Sequence, residues 1–397
     1  MKIAHLCLGN FFIDDRAYQE NELVATHARA GHDVLVVAST HVHGPDGRRA
    51  FTQPSEYQTK EGSRVVRLPY HPALPHSLAK SLRMHRGVYD LLSNFAPDTM
   101  LFHGICGWEL LTAARYRRNH PGVPLFVDNH ADFLNSARGL VSKWGLHRMY
   151  YRPILLRALP DVEKVLCTSA MTEEFARDFY NVPVEKLEFY PLGGYPVSDD
   201  ELKERRVAIR AREGIGDGDI LFIQSGKQST RKYLLEALRS FARVQDPRFR
   251  LRIAGMLMDD VKEEAEALIA ADARVSFVGW KSPAELEDLL CAADVYLQPG
   301  SQSSTLQTSL CCGCAVILEA LPSHEFYFSD NGFLISEPSK LEMVFRKISS
   351  RPEDLEVMGC KSLAFAREML DYNRLAERVL PCFKDKIAEN SEALVSN

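Results

Sequence analysis

The sequence has no apolar run of the roughly 20 residues that a membrane-spanning helix needs, and its N-terminus does not read as a secretory signal. Its nine cysteines have no disulfide-like spacing, which fits a reducing, cytoplasmic setting. Cys311, Cys312 and Cys314 crowd together, yet no second Cys/His pair stands near enough to complete a zinc site. Small buried residues beside a tight turn at Gly313 account for them better. No G-x-G-x-x-G follows the first apolar run, so the dinucleotide fingerprint is missing. The glycines near Lys227 are wrongly spaced for a Walker loop. No D-x-D closes an expected strand, so no divalent metal ion is expected, and no cofactor is called for. The formal net charge of -5 argues against general nucleic-acid binding. That charge is uneven: residues 1–193 carry 22 Lys+Arg against 20 Asp+Glu, leaving 26 against 33 for the rest. The first half is therefore the one suited to an anionic surface.

What is present is the composition of an ordinary globular protein, 46% hydrophobic and 25% charged, over 397 residues, enough for two or three domains. Residues 1–8, MKIAHLCL, form an apolar run that ends on Gly9-Asn10. A helical pattern over 19–30, stopped by Gly31-His32, and a second apolar run over 34–38 complete a βαβ opening. Residues 40–62 read as a polar surface loop and 65–68 as a strand. Residues 77–94 read as one helix. Strands follow at 99–103, ending on His103-Gly104, and at 125–127, ending in Asp128-Asn129-His130-Ala131-Asp132. Further strands are expected at 164–168 and 187–190. Two prolines around Gly193-Gly194 then make a hinge and a domain boundary. After a charged helix over 199–213, the strand–helix rhythm restarts and runs to the last helices. The expectation is an α/β protein of two Rossmann-like, doubly wound parallel-sheet domains facing a central cleft. The boundaries are 1–193, 194–375 and a C-terminal helix in 376–397 that returns toward the first domain.

Three stretches carry chemistry. Residues 293–320 run from a strand through Pro299-Gly300 into an uncharged loop, Ser301-Gln302-Ser303-Ser304-Thr305, then a short helix and a second strand. Hydroxyl side chains and a helix start after a strand suit an anion; a serine-capped connection is the plainer reading. Residues 223–232, IQSGKQSTRK, follow a strand with three cations, and Lys227 and Lys232 are placed to hold phosphate oxygens. A solvated basic loop is the alternative. Residues 136–159 hold Arg138, Lys143, His147, Arg148, Arg152 and Arg157 with no acid, among Trp144, Tyr150 and Tyr151, and are broken by Pro153. That pattern suits weak peripheral contact with anionic lipid or a lipid phosphate through 138–157; the competing reading is a solvated basic face.

Taken together, the chain resembles the GT-B glycosyltransferases, in the retaining group called family 4. The resemblance rests on Gly31-His32-Asp33-Val34, Pro191-Leu192-Gly193, the segment from Ser225-Gly226-Lys227 to Lys232, and Arg252-Ile253-Ala254-Gly255. It rests also on Phe277-Val278-Gly279-Trp280, Ala293-Asp294-Val295-Tyr296-Leu297-Gln298-Pro299, Gly313-Cys314-Ala315-Val316-Ile317, Glu325 and Asn331-Gly332. It covers nearly the whole chain, and the order and spacing of these pieces carry it.

The resemblance implies transfer of a sugar from a nucleotide-diphosphate sugar, a UDP-sugar for preference, to a glycan or lipid-linked acceptor in cell-surface polysaccharide synthesis. It implies retention at the anomeric carbon, independence of metal, and work in the cytoplasm or at the inner face of the membrane. It assigns His130 to the donor sugar as the catalytic residue. Donor-binding residues would be Gly9, Asn10, Lys227, Lys232, Gly279, Trp280, Ser303, Ser304, Thr305, Gln307 and Thr308. His103 and Asp132 are the acceptor-side candidates. The chain departs from the family at the two glutamates usual in the 300–308 region: Gln302, Ser303 and Ser304 stand for the first, Gln307 and Thr308 for the second. Tyr18-Gln19-Glu20-Asn21 also replaces the usual glycine pair before the first helix. Two other readings stay open: a non-catalytic GT-B protein that binds nucleotide sugar or glycan, and a nucleotide-sugar epimerase.

Overall fold

The structure is a computed structural model and describes residues 1–43, 49–301 and 303–381. The chain divides into two compact units, Met1–Pro191 together with the chain from Tyr372 onward, and Leu192–Asp371. Most of the C-terminal stretch 376–397, expected to hold a helix, lies outside the described residues.

The strands of the first unit are β1 (Lys2–Cys7), β2 (Asp33–Ser39), β3 (His41–His43), β4 (Arg49–Phe51), β5 (Ser55–Gln58), β6 (Arg64–Leu68), β7 (Thr99–His103), β8 (Leu125–Asn129), β9 (Val165–Cys167) and β10 (Leu187–Phe189). Eight of them form one sheet in the order β10-β9-β8-β7-β1-β2-β6-β5, and β3 pairs with β4. Neighbours in the large sheet are parallel except at the edge, where β5 runs against β6. Side chains alternate between two cores. Ala4, Leu6, Phe102 and Val127 enter one, while Cys7, Val36, Leu101 and Phe126 enter packing on the opposite side. Burial on both sides is why these strands read as near-continuous apolar runs.

The second unit holds β11 (Ile220–Gln228), β12 (Phe249–Leu257), β13 (Val275–Gly279), β14 (Val295–Gln298), β15 (Ala315–Glu319) and β16 (Gly332–Ile335). They form one parallel sheet in the order β13-β12-β11-β14-β15-β16. Ile220 and Phe222 face one core, Leu221 and Ile223 the other.

Three local expectations need correction. Residues 40–62 are not one loop: they supply β3, β4 and β5. These strands are short and polar, and their stability comes from pairing and from Arg67, which the apolar pattern does not register. Arg67 is buried and donates to the carbonyls of Ser39 and His41 at 2.9 and 3.1 Å and to Asp14 Oδ2 at 2.8 Å. Residues 77–94 form two helices, His76–Leu82 and Val88–Phe95, because Arg83 (φ 52°) and Gly87 (φ 89°) turn left-handed between them. Pro153 does not break its helix. Val141–Tyr151 winds as a π-helix, and Arg152–Ala158 continues as α-helix with the proline at its second residue, where the wider π-turn passes into the α-helix.

Candidate active site

Each sheet has one topological switch point, where connections leave in opposite directions and ligands bind beyond the carboxyl ends of the strands. In the second unit it lies between β11 and β14, and the two turns leaving these strands interlock. A Cβ on Gly300 would stand 2.3 Å from the Arg231 carbonyl oxygen and 3.0 Å from Lys232 Cα, so only glycine fits. Ser301 N donates to the Arg231 carbonyl at 3.0 Å. Lys232 Nζ donates to the Ser301 carbonyl at 2.5 Å. Burial, and then the charge of Arg231, push the Lys232 ammonium down to about 8. Lys227 stands exposed near the end of β11. Its neighbour Gly226 (φ 113°) has Ser303 Oγ 3.7 Å from its Cβ position, so the two loops meet there as well.

A buried polar chain lies along β11, β14 and the helix Pro322–Glu325. Ser225 Oγ is 3.4 Å from Tyr296 Oη, which donates to Gln298 Oε1 at 3.1 Å. Gln298 Nε2 meets His324 Nε2 at 2.8 Å, and His324 Nδ1 meets the Glu319 carbonyl at 2.8 Å. A carbonyl only accepts, so His324 carries its proton on Nδ1 and receives one from Gln298 at Nε2. Burial pushes the ring's pKa down, in keeping with a neutral imidazole. On the far side of β12, a register shift lets Ala254 face Gly279 where Ile253 faces Phe277. Gly279 turns left-handed (φ 70°), and Trp280 beyond it is 66% exposed.

In the first unit the switch point lies between β1 and β7. Gly9 and Gly104 close the two strand ends against each other. Asn10 N donates to the His103 carbonyl at 2.5 Å. Arg83 donates to the Gly9 carbonyl, its guanidinium 5.5 Å from the ring centres of both Phe11 and Tyr151. Next along the sheet, Asp128 ends β8. Its Oδ1 accepts from Gly104 N at 2.7 Å, and its Oδ2 lies 2.5 Å from His103 Nδ1 and 3.6 Å from His130 Nε2. The last distance exceeds a hydrogen bond, so the attraction is Coulombic. Burial pushes the Asp128 carboxyl up, but His103 and His130 outweigh it and hold it below the usual carboxylate range. Burial likewise pushes His130 down, yet the Asp128 charge, with a smaller part from Glu20, raises it to about 9. His130 is therefore an imidazolium at neutral pH, with a side chain 24% exposed.

Known structures share this fold. Sucrose-phosphate synthase from Thermosynechococcus elongatus superposes with a TM-score of 0.62 at 16% identity, over 98% of this chain and 99% of that one. HepE from Anabaena, solved in complex with UDP, gives 0.64 at 14% identity, over 97% and 100%. WaaG, described as a glycosyltransferase involved in lipopolysaccharide biosynthesis, gives 0.60 at 17% identity, over 96% and 100%. A search of curated sequences returns no match. Residues 19–193 match the model of the glycosyl transferase 4-like domain, and residues 206–359 match glycosyl transferases group 1.

The chain belongs to the GT-B glycosyltransferases, group 1 and family 4-like. The sequence-predicted residues of this glycosyltransferase fall into two sets, one in each unit. Lys227, Lys232, Ser303, Ser304 and Thr305 gather at the second switch point. Their hydroxyls differ in availability: Ser304 is exposed, while Ser303 Oγ donates to buried Thr305 Oγ1 at 3.4 Å. Gln302 lies outside the described residues. The short helix expected after the loop spans Thr305–Cys311. Within it Gln307 is closed in, its amide donating to Tyr327 Oη at 2.8 Å, and Thr308 is half-buried. Gly9, Asn10 and His130 gather at the first unit's strand ends. His103, read as an acceptor contact, is fully enclosed with both ring nitrogens engaged, one of them by Asp128, which is itself buried. Asp132 accepts from the N–H groups of Leu134 and Asn135 at 2.7 and 2.8 Å, which orders its own turn.

Sequence reasoning about this glycosyltransferase missed Asp128, Arg83 and the Tyr296–Gln298–His324 chain. For Asp128 a signal existed: a carboxylate two residues before a histidine at a strand end. Arg83 sat inside what read as an unbroken helix and gave none.

Proposed function

We propose that this glycosyltransferase moves a sugar from a nucleoside-diphosphate sugar, a UDP-sugar, to a glycan or lipid-linked acceptor in cell-surface polysaccharide assembly, with retention at the anomeric carbon. The observation that carries the reading is the lock between Lys232 and Ser301 at a switch point, with Lys227 exposed near the end of the adjoining strand β11. A diphosphate leaving group demands positive charge more than a protein acid, and two lysines supply it without a metal ion. That HepE was solved with UDP, and WaaG is described as acting in lipopolysaccharide biosynthesis, supports the choice of donor and pathway.

In this reading Lys227 and Lys232 bind the diphosphate, with Ser303, Ser304, Thr305 and Thr308 as neutral hydrogen-bonding groups near it. Exposed Trp280, turned out by Gly279, frames the base. Gly9 and Asn10 approach the donor closely, and the His130 imidazolium meets the donor sugar. The bond from the anomeric carbon to the diphosphate oxygen breaks as the acceptor oxygen bonds to the same face. The acceptor's hydroxyl proton passes to the leaving diphosphate. Asp132 orders the loop where the acceptor enters. In this reading 1–193 and 194–375 are the two working parts of the chain.

A peripheral role at the inner face of the membrane is part of the proposal. Leu140, Val141, Trp144 and Met149 are exposed, Leu140 and Val141 by 78% and 82%, among Arg138, Lys143 and Arg148. An apolar surface ringed by cations suits anionic lipid. A second reading, a non-catalytic binder of nucleotide sugar, is favoured only by the missing glutamates at 302–308. A donor hydrolysis and transfer assay over a panel of nucleotide sugars decides. Product from a UDP-sugar supports the transferase; binding of UDP with no turnover of any donor supports the binder.

A further inference from the structure

A line of buried imidazoles runs behind His130. His103 Nε2 lies 2.9 Å from His5 Nδ1, His5 Nε2 lies 3.0 Å from His27 Nδ1, and His27 Nε2 lies 3.0 Å from the Ala376 carbonyl oxygen. All three rings are essentially inaccessible to solvent. They come from β1, β7 and the helix Gln19–Arg29, and the line ends on the short helix Tyr372–Glu377 of the same unit. Tyr190 and Thr99 donate to the neighbouring carbonyls of Leu375 and Val379 at 2.6 and 2.8 Å, so this anchor is held at three points.

The anchor fixes every proton. The Ala376 carbonyl accepts, so His27 must donate from Nε2. A neutral His27 then accepts at Nδ1, and His5 must donate from its own Nε2. Neutral His5 accepts at Nδ1, so His103 must donate from Nε2. His103 Nδ1 faces Asp128 Oδ2 at 2.5 Å, a contact that also requires a proton. Burial holds His5 well below its ordinary pKa, and holds His27 at about 4, so both are neutral. Asp128 stays ionised. The second proton therefore rests on His103, which is protonated on both nitrogens.

We propose that His27, His5 and His103 form a proton-locked relay, anchored on the Ala376 carbonyl, that keeps an extra proton beside Asp128 and so makes the cluster around His130 one positive charge richer. Were the lock absent, His103 could shed its Nε2 proton and still donate to Asp128 from Nδ1. The Asp128 charge would then be balanced by His130 alone, and the group facing the substrate would be neutral overall. With the lock, His103 balances Asp128, and the charge of His130 remains for an anionic ligand. His27 and His5 are positioning residues that act through His103. The proton lock stands on the hydrogen-bond geometry together with the neutrality that burial imposes on His5 and His27 and the ionised state of Asp128; its value to catalysis rests on the donor-sugar role proposed for His130.

Ring ¹⁵N NMR of the full chain reads the lock directly, because protonated and bare ring nitrogens resonate in separate ranges. The expected pattern at neutral pH is a proton on Nε2 only for His5 and His27, and protons on both nitrogens of His103. In His27→Leu one His103 nitrogen becomes bare. His27→Gln, whose amide accepts from His5 and donates to the carbonyl, restores it. A bare nitrogen on His103 in the unaltered protein, or no change in His27→Leu, overturns the relay. Turnover of the nucleotide sugar should fall at least several-fold in His27→Leu and recover in His27→Gln. A fall that glutamine does not repair marks a packing role and overturns the positioning claim. A chain inert toward every nucleotide sugar refutes the proposed function and leaves the ring spectrum to decide the relay.

Discussion

Gly9 and Gly104 exclude side chains from one another: a Cβ on Gly9 would lie 2.4 Å from the His103 carbonyl oxygen and 2.8 Å from that of Gly104, and a Cβ on Gly104 would lie 2.9 Å from Asn10 N. These are backbone atoms and cannot swing aside. Gly9→Ala is therefore expected to cost roughly 1–3 kcal/mol or more, as overpacking in a closed site does. Gly122→Ala, where nothing lies within 4 Å, should change stability little. Chemical denaturation of the two variants checks the contrast; equal midpoints contradict it.

The charge on His130 depends on Asp128. Its folded pKa of about 9 lies above the ordinary value of about 6.5. The contribution of His130 to stability is thus complete below about pH 6.5 and is lost as pH rises through about 9. Asp128→Asn should return His130 titration toward its ordinary range, followed by NMR of the ring protons. His130→Ala should abolish most turnover; unchanged turnover removes its proposed role.

Lys232 provides a second pH signature with the opposite origin. Burial holds it at about 8, so a diphosphate that pairs with the ammonium favours the protonated form. Nucleoside diphosphate affinity is expected to fall as pH rises through about 8. A charge-assisted hydrogen bond contributes about 1.5–3 kcal/mol, so Lys232→Ala should weaken UDP binding about tenfold or more by calorimetry. Affinity that ignores both pH and the substitution counts against the diphosphate site.

Acid should unfold the first unit early. His5, His27, His85 and His147 all have ring pKa values lowered chiefly by burial, three of them to about 4. Between about pH 6.5 and 4 the unfolded chain binds protons that the folded chain refuses, so stability falls as pH falls. The loss should be on the order of a few kcal/mol for each fully buried ring. Urea midpoints across that interval test it, and His85→Phe should flatten the slope.

Vesicle co-sedimentation tests the exposed apolar and basic surface. Recovery with anionic vesicles should exceed recovery with neutral ones, and Trp144→Ser with Arg148→Ser should erase the difference. Equal recovery throughout leaves that face to water.

The sequence by itself determined the parallel α/β elements, since apolar strands buried on both faces and amphipathic helices write their period locally. It also determined the glycines and lysines at strand ends, where turn geometry and charge are visible residue by residue. Polar edge strands such as β5 left no such trace, because their stability lies in pairing with a distant partner. Only the tertiary structure decided that β1 would lie between β7 and β2, and β11 between β12 and β14. That order brings Lys232 onto Ser301, and it sets Asp128 between His103 and His130. His27 meets a carbonyl 349 positions away, so its tautomer, and through it the charge beside His130, depends on a contact that no local pattern encodes.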